Sequence, residues 1–210
     1  MTTPSTQNHS KLVALASIAA ELHSVLSVAW SVSLAAKNAK VISAQSGNSA
    51  LGFHPITEFI DEVAQVAMQG VNDINNEALC LTKIAVANQR NVNAYQRFNA
   101  VRKKHTNARH INSMSPAMNR IEQNMQCSKQ KFKQGLTQLT QFLETMDECM
   151  LSARAIASVS RIVTSNAKEY SNKLKVVADD LDKAARYIKE KIADSYTHLE
   201  IIYSDMRKQT

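Results

Sequence analysis

Residues 38 to 56 read NAKVISAQSGNSALGFHPI and hold two of the chain's four glycines, Gly47 and Gly52, with Phe53 and Pro55 directly behind. Glycine accepts the positive φ of a tight reversal between helices, so the stretch predicts a turn over 46–54. The flanks predict what the turn joins. Upstream, apolar or small residues recur at alternating steps of three and four: Leu15, Ile18, Leu22, Val25, Ala29, Val32, Ala36, Ala39. Downstream the same rhythm runs through Ile60, Val63, Ala67, Val71, Ile74, Ala78, Leu81, Ala85, Val92 and Tyr95, with Asn88 as a polar interruption. Both are heptad seams, and two seams about a glycine-marked turn predict a long antiparallel helical hairpin over 11–106.

The stretch KKHTNARHINSMSP, residues 103–116, loses the pattern and predicts a connection over 107–115, with Ser115 and Pro116 suited to opening a helix. A third seam then passes through Ile121, Met125, Phe132, Leu139, Phe142, Met146, Cys149, Ala153, Ile156 and Val163. It continues almost in phase through Leu174, Leu181, Ile188 and Ile202. Two architectures are compatible with that continuity. A single helix to the end would be about 135 Å long and would leave much of its seam without a partner. A turn near 164–166, with Asn166 and Glu169 spaced like a capping box, gives a second helical pair over 116–208. The second is preferred, so the expected fold is all-α: an elongated four-helix bundle of coiled-coil type, with residues 1–10 as a disordered leader.

Composition agrees. Of the 210 residues 44% are hydrophobic but only 5% aromatic, and Ala, Leu, Ile, Val and Met favour helix over sheet. Cys80, Cys127 and Cys149 are odd in number and lack metal-site spacing, so they are expected as reduced thiols inside helices of a cytoplasmic protein. The most apolar early segment is interrupted by Lys11, Glu21 and His23, so no membrane span and no signal peptide are expected. His23, His54, His105 and His110 have no Cys or paired carboxylate at ligand spacing, and no nucleophile or phosphate-loop motif occurs. Neither enzyme activity, metal, cofactor nor small-molecule ligand is expected.

Around its turn the chain resembles the cytoplasmic hairpin tip of bacterial methyl-accepting chemotaxis receptors. Asn38, Ala39, Val41, Ala44, Gly47, Gly52, Phe53 and Ile56 fall on that family's tip positions without a gap, and the likeness extends over about 28–64. The resemblance implies a signalling protein that works through protein contacts. Trp30 would take the aromatic position of the receptor trimer contact and Leu34 an aliphatic partner contact, with Asn38, Phe53 and Ile56 completing the partner surface about Gly47 and Gly52. The implied partners are the chemotaxis coupling protein, the chemotaxis histidine kinase or other chemoreceptors. The departures fall on charge: Ile42, Gln45 and Leu51 replace a glutamate and two arginines of the family pattern, and Lys37 replaces an aliphatic contact. A modulator or decoy in chemosensory arrays is therefore as consistent as an activator. The alternative from another class is a structural or secreted effector, a toxin-like helical bundle.

The formal charge is +7. Its most visible source is the cluster Arg102, Lys103, Lys104 and Arg109 at the second connection, expected as a solvated helix end whose cations offset the dipole. Nucleic acid is not expected as a partner, since no aromatic platform is interleaved with the charges.

Overall fold

The structure, a computed structural model, describes residues 4–45, 53–104, 110–164 and 171–207. Four helices follow one another: α1 (Pro4–Gln45), α2 (His54–Lys104), α3 (Ser115–Thr164) and α4 (Ser171–Arg207). Each packs antiparallel on its neighbours, and α4 packs on both α3 and α1, which closes the ring as a four-helix bundle. Gly47 and Gly52, like Asn166, Glu169 and Arg109, lie outside the described residues. Of the expected disordered leader, residues 4–10 are helical instead, because α1 begins at Pro4; residues 1–3 lie outside the described residues. Proline suits a helix's first turn, where its missing N–H has no partner to lose. Pro55 uses the same tolerance in α2, which starts one residue earlier.

The seams face inward. Leu15, Ile18, Leu22 and Val25 of α1 meet Ile60, Ile74 and Leu81 of α2, Leu139, Leu143 and Met146 of α3, and Leu181, Ile188 and Ile202 of α4 in one continuous core. Ion pairs and hydrogen bonds fix the register around it. Lys191 of α4 reaches Glu21 of α1 at 2.7 Å, and the Tyr187 hydroxyl donates to Ser24 Oγ at 2.8 Å. Between α3 and α4, Arg161 pairs with Asp179 at 2.8 Å and with the buried Asp182 at 3.2 Å; Arg186 joins Asp182 at 2.6 Å. The bundle centre holds a small apolar void lined by Ala29, Ala64, Ala67, Ala153 and Ala185, with a volume of about 10 Å³. It is too small for a cofactor.

The helices are unequal, and this shapes the molecule. In α2 the last buried residue is Ala85, and in α3 nothing between Met118 and Phe132 is buried. The start of α1 and the end of α4 meet this level: Lys11 Nζ lies 5.9 Å from the Phe132 ring centroid, and the Asp205 charge acts on Lys11. Beyond it α2 and α3 run on together for about 28 Å, at 1.5 Å per residue, with residues 4–10 of α1 continuing past Lys11 over about the first 10 Å. Within this stretch Tyr95 of α2 lies against Glu122 of α3, which raises the phenol above its ordinary pKa. A 3-10 turn, Ile111–Met114, leads into α3, and Met118 is buried near that end, apart from the main core.

The expectation of thiols in the helical interior fails at Cys80 and Cys127, which fall beside their seams and are exposed; Cys149, on its seam, is half-buried against the core.

Candidate functional site

The inward seam of α1 turns a second stripe outward. Trp30, Leu34, Lys37 and Val41 follow at steps of four, three and four, so they share one helix face, with Asn38 beside them. Trp30 is 62% exposed, Leu34 45% and Val41 57%, and Lys37 and Asn38 are exposed. The face is poor in competing donors. Ser24, Ser27 and Ser31 turn their hydroxyls back onto the carbonyls of Glu21, Ser24 and Ser27 at 2.9 to 3.0 Å. A serine so satisfied presents little polarity to its surroundings.

The other helices repeat this at the same end. Phe59 and Val66 on α2, Leu151, Val159 and Ile162 on α3 and Val176 on α4 are exposed. Nine of the 13 large hydrophobic side chains exposed among the described residues therefore lie in the half of the bundle that ends at residues 45, 53, 164 and 171. A concentration of exposed apolar side chains at one end is the kind of surface that marks interaction sites on soluble proteins. Only the α1 part of this surface follows from the seams and the tip resemblance; Val159 and Ile162 stand off their seam, and an apolar residue off the seam is the signal that marks them.

Two of the expected partner contacts are not on the surface. Phe53 is fully buried and Ile56 is 7% exposed, so neither is available to a partner as the structure stands. The physical reason is that both are large apolar side chains that gain by leaving water, and both join the core cluster. Ile42, at a departure from the receptor pattern, packs partly against the core, and Gln45 is exposed. The Lys40 ammonium pairs with Glu58 at 3.1 Å, which ties α1 to α2 beside the stripe and holds the Glu58 carboxyl below its usual range.

The expectation that no stretch is apolar enough for a membrane is corrected. The helix over Ser10–Gln45 is long and apolar enough to cross one, by length and composition, and only a third of its most apolar window is buried. Glu21 is the one formally charged residue between Lys11 and Lys37. A single charge within such a window does not outweigh its aliphatic residues, and this one is neutralised by Lys191.

Arg102, Lys103 and Lys104 stand exposed in the last turn of α2, at the other end of the molecule. Among the described residues no three His, Cys, Asp or Glu side chains come together to hold a metal.

Comparison of the chain with protein-family models, with curated proteins and with solved structures finds no match.

Proposed function

We propose that the protein is a non-catalytic signalling component that docks through the apolar end of its bundle, with Trp30, Leu34 and Asn38 on the contact face. The exposed Trp30 carries this reading, because a solvent-facing tryptophan among aliphatic neighbours is the side chain most often found at the energetic centre of an interface. The chemoreceptor-like tip makes the coupling protein, the kinase and other receptors the partners to test. One chain supplies both hairpins of a bundle that in those receptors takes two protomers. With the three family charges missing, the expected role is occupancy of array positions without kinase activation.

The test is quantified binding of the full chain to purified coupling protein and kinase. Trp30→Ala should weaken binding about 30-fold or more, the cost of a hot-spot truncation. Leu34→Ala should weaken it less. No binding by the well-folded wild-type chain would refute the reading.

A second reading, a membrane-active effector bundle, is favoured by one observation, the apolar circumference of α1. Trp30 is its own reporter there. A blue shift of tryptophan emission together with dye release from vesicles would select it, and unchanged emission would dismiss it.

A further inference from the structure

Between Val86 and Lys131 lie nine of the chain's 25 Lys and Arg but one of its 18 Asp and Glu. The projecting hairpin therefore carries +8, and the rest of the chain, with 16 basic and 17 acidic residues, carries −1. The charges are not confined to a helix end. Arg90, Arg97, Arg120, Lys129 and Lys131 stand more than one turn from either terminus at the hairpin's end, where the dipole no longer reaches. Four cations form a line, because Lys83, Arg90, Arg97 and Lys104 recur every seven residues on α2 and all are exposed. Seven residues rise about 10.5 Å, so the line is about 31 Å long.

Its position on the helix is equally informative. The half-buried residues of this part of α2, among them Asn88, Val92, Tyr95 and Asn99, turn toward α3, and the cationic line lies on the opposite side. Among the described residues none of the hairpin's cations is in an ion pair, whereas Arg154, Arg161 and Arg186 in the bundle all hold Asp182. The hairpin's sole carboxylate, Glu122, lies against Tyr95. A row of like charges with no counter-charge raises the energy of the free protein and is relieved by a polyanion.

We propose that this hairpin binds duplex DNA, with the Lys83, Arg90, Arg97 and Lys104 face of α2 laid against the phosphates. An α-helix about 10–12 Å across fits the major groove of B-form DNA, roughly 12 Å wide, but not the narrow one of A-form RNA. Single strands are disfavoured because Tyr95 and Phe98 are half-buried and offer no open stacking platform. An anionic membrane is disfavoured because Val101 is the hairpin's one exposed large hydrophobic residue among those described, and an interfacial helix needs an apolar face. The surrounding side chains suit nucleic acid: 13 of the 46 residues are Asn or Gln, and five of the nine cations are arginines, which fork onto phosphate oxygens. The proposal stands apart from the docking end, which lies at the other pole of the bundle.

The test uses the full chain and a labelled duplex of about 30 base pairs, followed by fluorescence anisotropy as salt is raised. Four phosphates neutralised give a log–log slope of about −3.6, or about 150-fold weaker binding from roughly 50 to 200 mM salt. Arg90→Gln with Arg97→Gln should reduce the slope to about −1.8. Lys173→Gln with Lys175→Gln removes the same charge from exposed positions at the far end of α4 and should leave the slope unchanged. Equal effects from both pairs would overturn the proposal, since binding would then follow net charge alone. So would absence of binding at low salt, or retention by phosphatidylserine vesicles in preference to DNA. Circular dichroism of each variant confirms that the helices persist.

Discussion

Gly135→Ala should destabilise the protein although alanine is the better helix former. Gly135 sits within α3 against α2, and a Cβ added there would stand 2.7 Å from Leu81 Cδ2 and would also meet Glu77 Oε1. Two effects oppose each other. Relief of glycine's backbone entropy gains about 1 kcal/mol. Overpacking costs about 1–3 kcal/mol when the neighbour cannot yield. The Glu77 carboxylate is the end of a flexible chain and can swing aside, but Leu81 is fully buried among core residues and cannot. The cost should prevail, leaving a net loss of about 1 kcal/mol. The decisive experiment repeats the substitution in a Leu81→Ala background, where the obstructing methyl is absent. Leu81→Ala alone should cost about 2–5 kcal/mol, and adding Gly135→Ala should then recover about 1 kcal/mol. The sign reverses between backgrounds, and urea unfolding of the four proteins reads it. A gain of equal size in both would refute the reasoning, because Leu81 would not then face Gly135. The register that extends to Tyr95 and Glu122, and hence the projecting hairpin, would fall with it.

Phe53→Ala should lower stability by about 3–5 kcal/mol in the same assay, while Trp30→Ala changes it by under about 0.5 kcal/mol. The opposite ranking would mean that the two aromatic rings have exchanged roles. Burial raises the Glu77 carboxyl above its ordinary 4.5, so its charged form opposes folding at neutral pH. Glu77→Gln should therefore stabilise the protein at pH 7, and the advantage should vanish as pH falls below about 4.5, where the side chain is protonated in both states. Hydrogen bonds from Arg186 and Arg161 hold the Asp182 carboxyl below its ordinary 3.8. Its contribution is complete above that pH and is lost as pH falls through the lower folded value. Asp182→Asn should cost about 1–2 kcal/mol at pH 7, and the difference from wild type should shrink only in the acid limb below about pH 4. A difference that persists unchanged at pH 2 would show that packing rather than charge is responsible.

The four glycines divide the information between sequence and structure. Gly47 and Gly52 predict a turn from the sequence alone, because a backbone that must reverse imposes its demand on a few adjacent residues; both lie outside the described residues. Gly70 and Gly135 carried no such signal. Each lies within a helix and is small because a side chain of the facing helix, Met146 for Gly70 and Leu81 for Gly135, occupies the space of its Cβ. The seams behaved like the first pair. All eight α1 seam residues from Leu15 to Ala39 are buried, since a period near 3.5 residues is a local property that puts one face inward whatever the partner. Which seam packs on which is not local. Heptads are nearly interchangeable, and only the assembled bundle turned α4 back onto α1 and placed Phe53 inside rather than on the surface.

The basic residues follow the same division. Their number and positions are in the sequence, but a cluster beside a connection reads as a solvated helix end. That α2 and α3 carry +8 along the stretch beyond Ala85, with Glu122 as its one carboxylate, is a consequence of which helices meet and at what register. Long-range pairing decides it, because a charge is neutralised by whatever lies across from it in space, as Lys191 is by Glu21, 170 positions away in the chain.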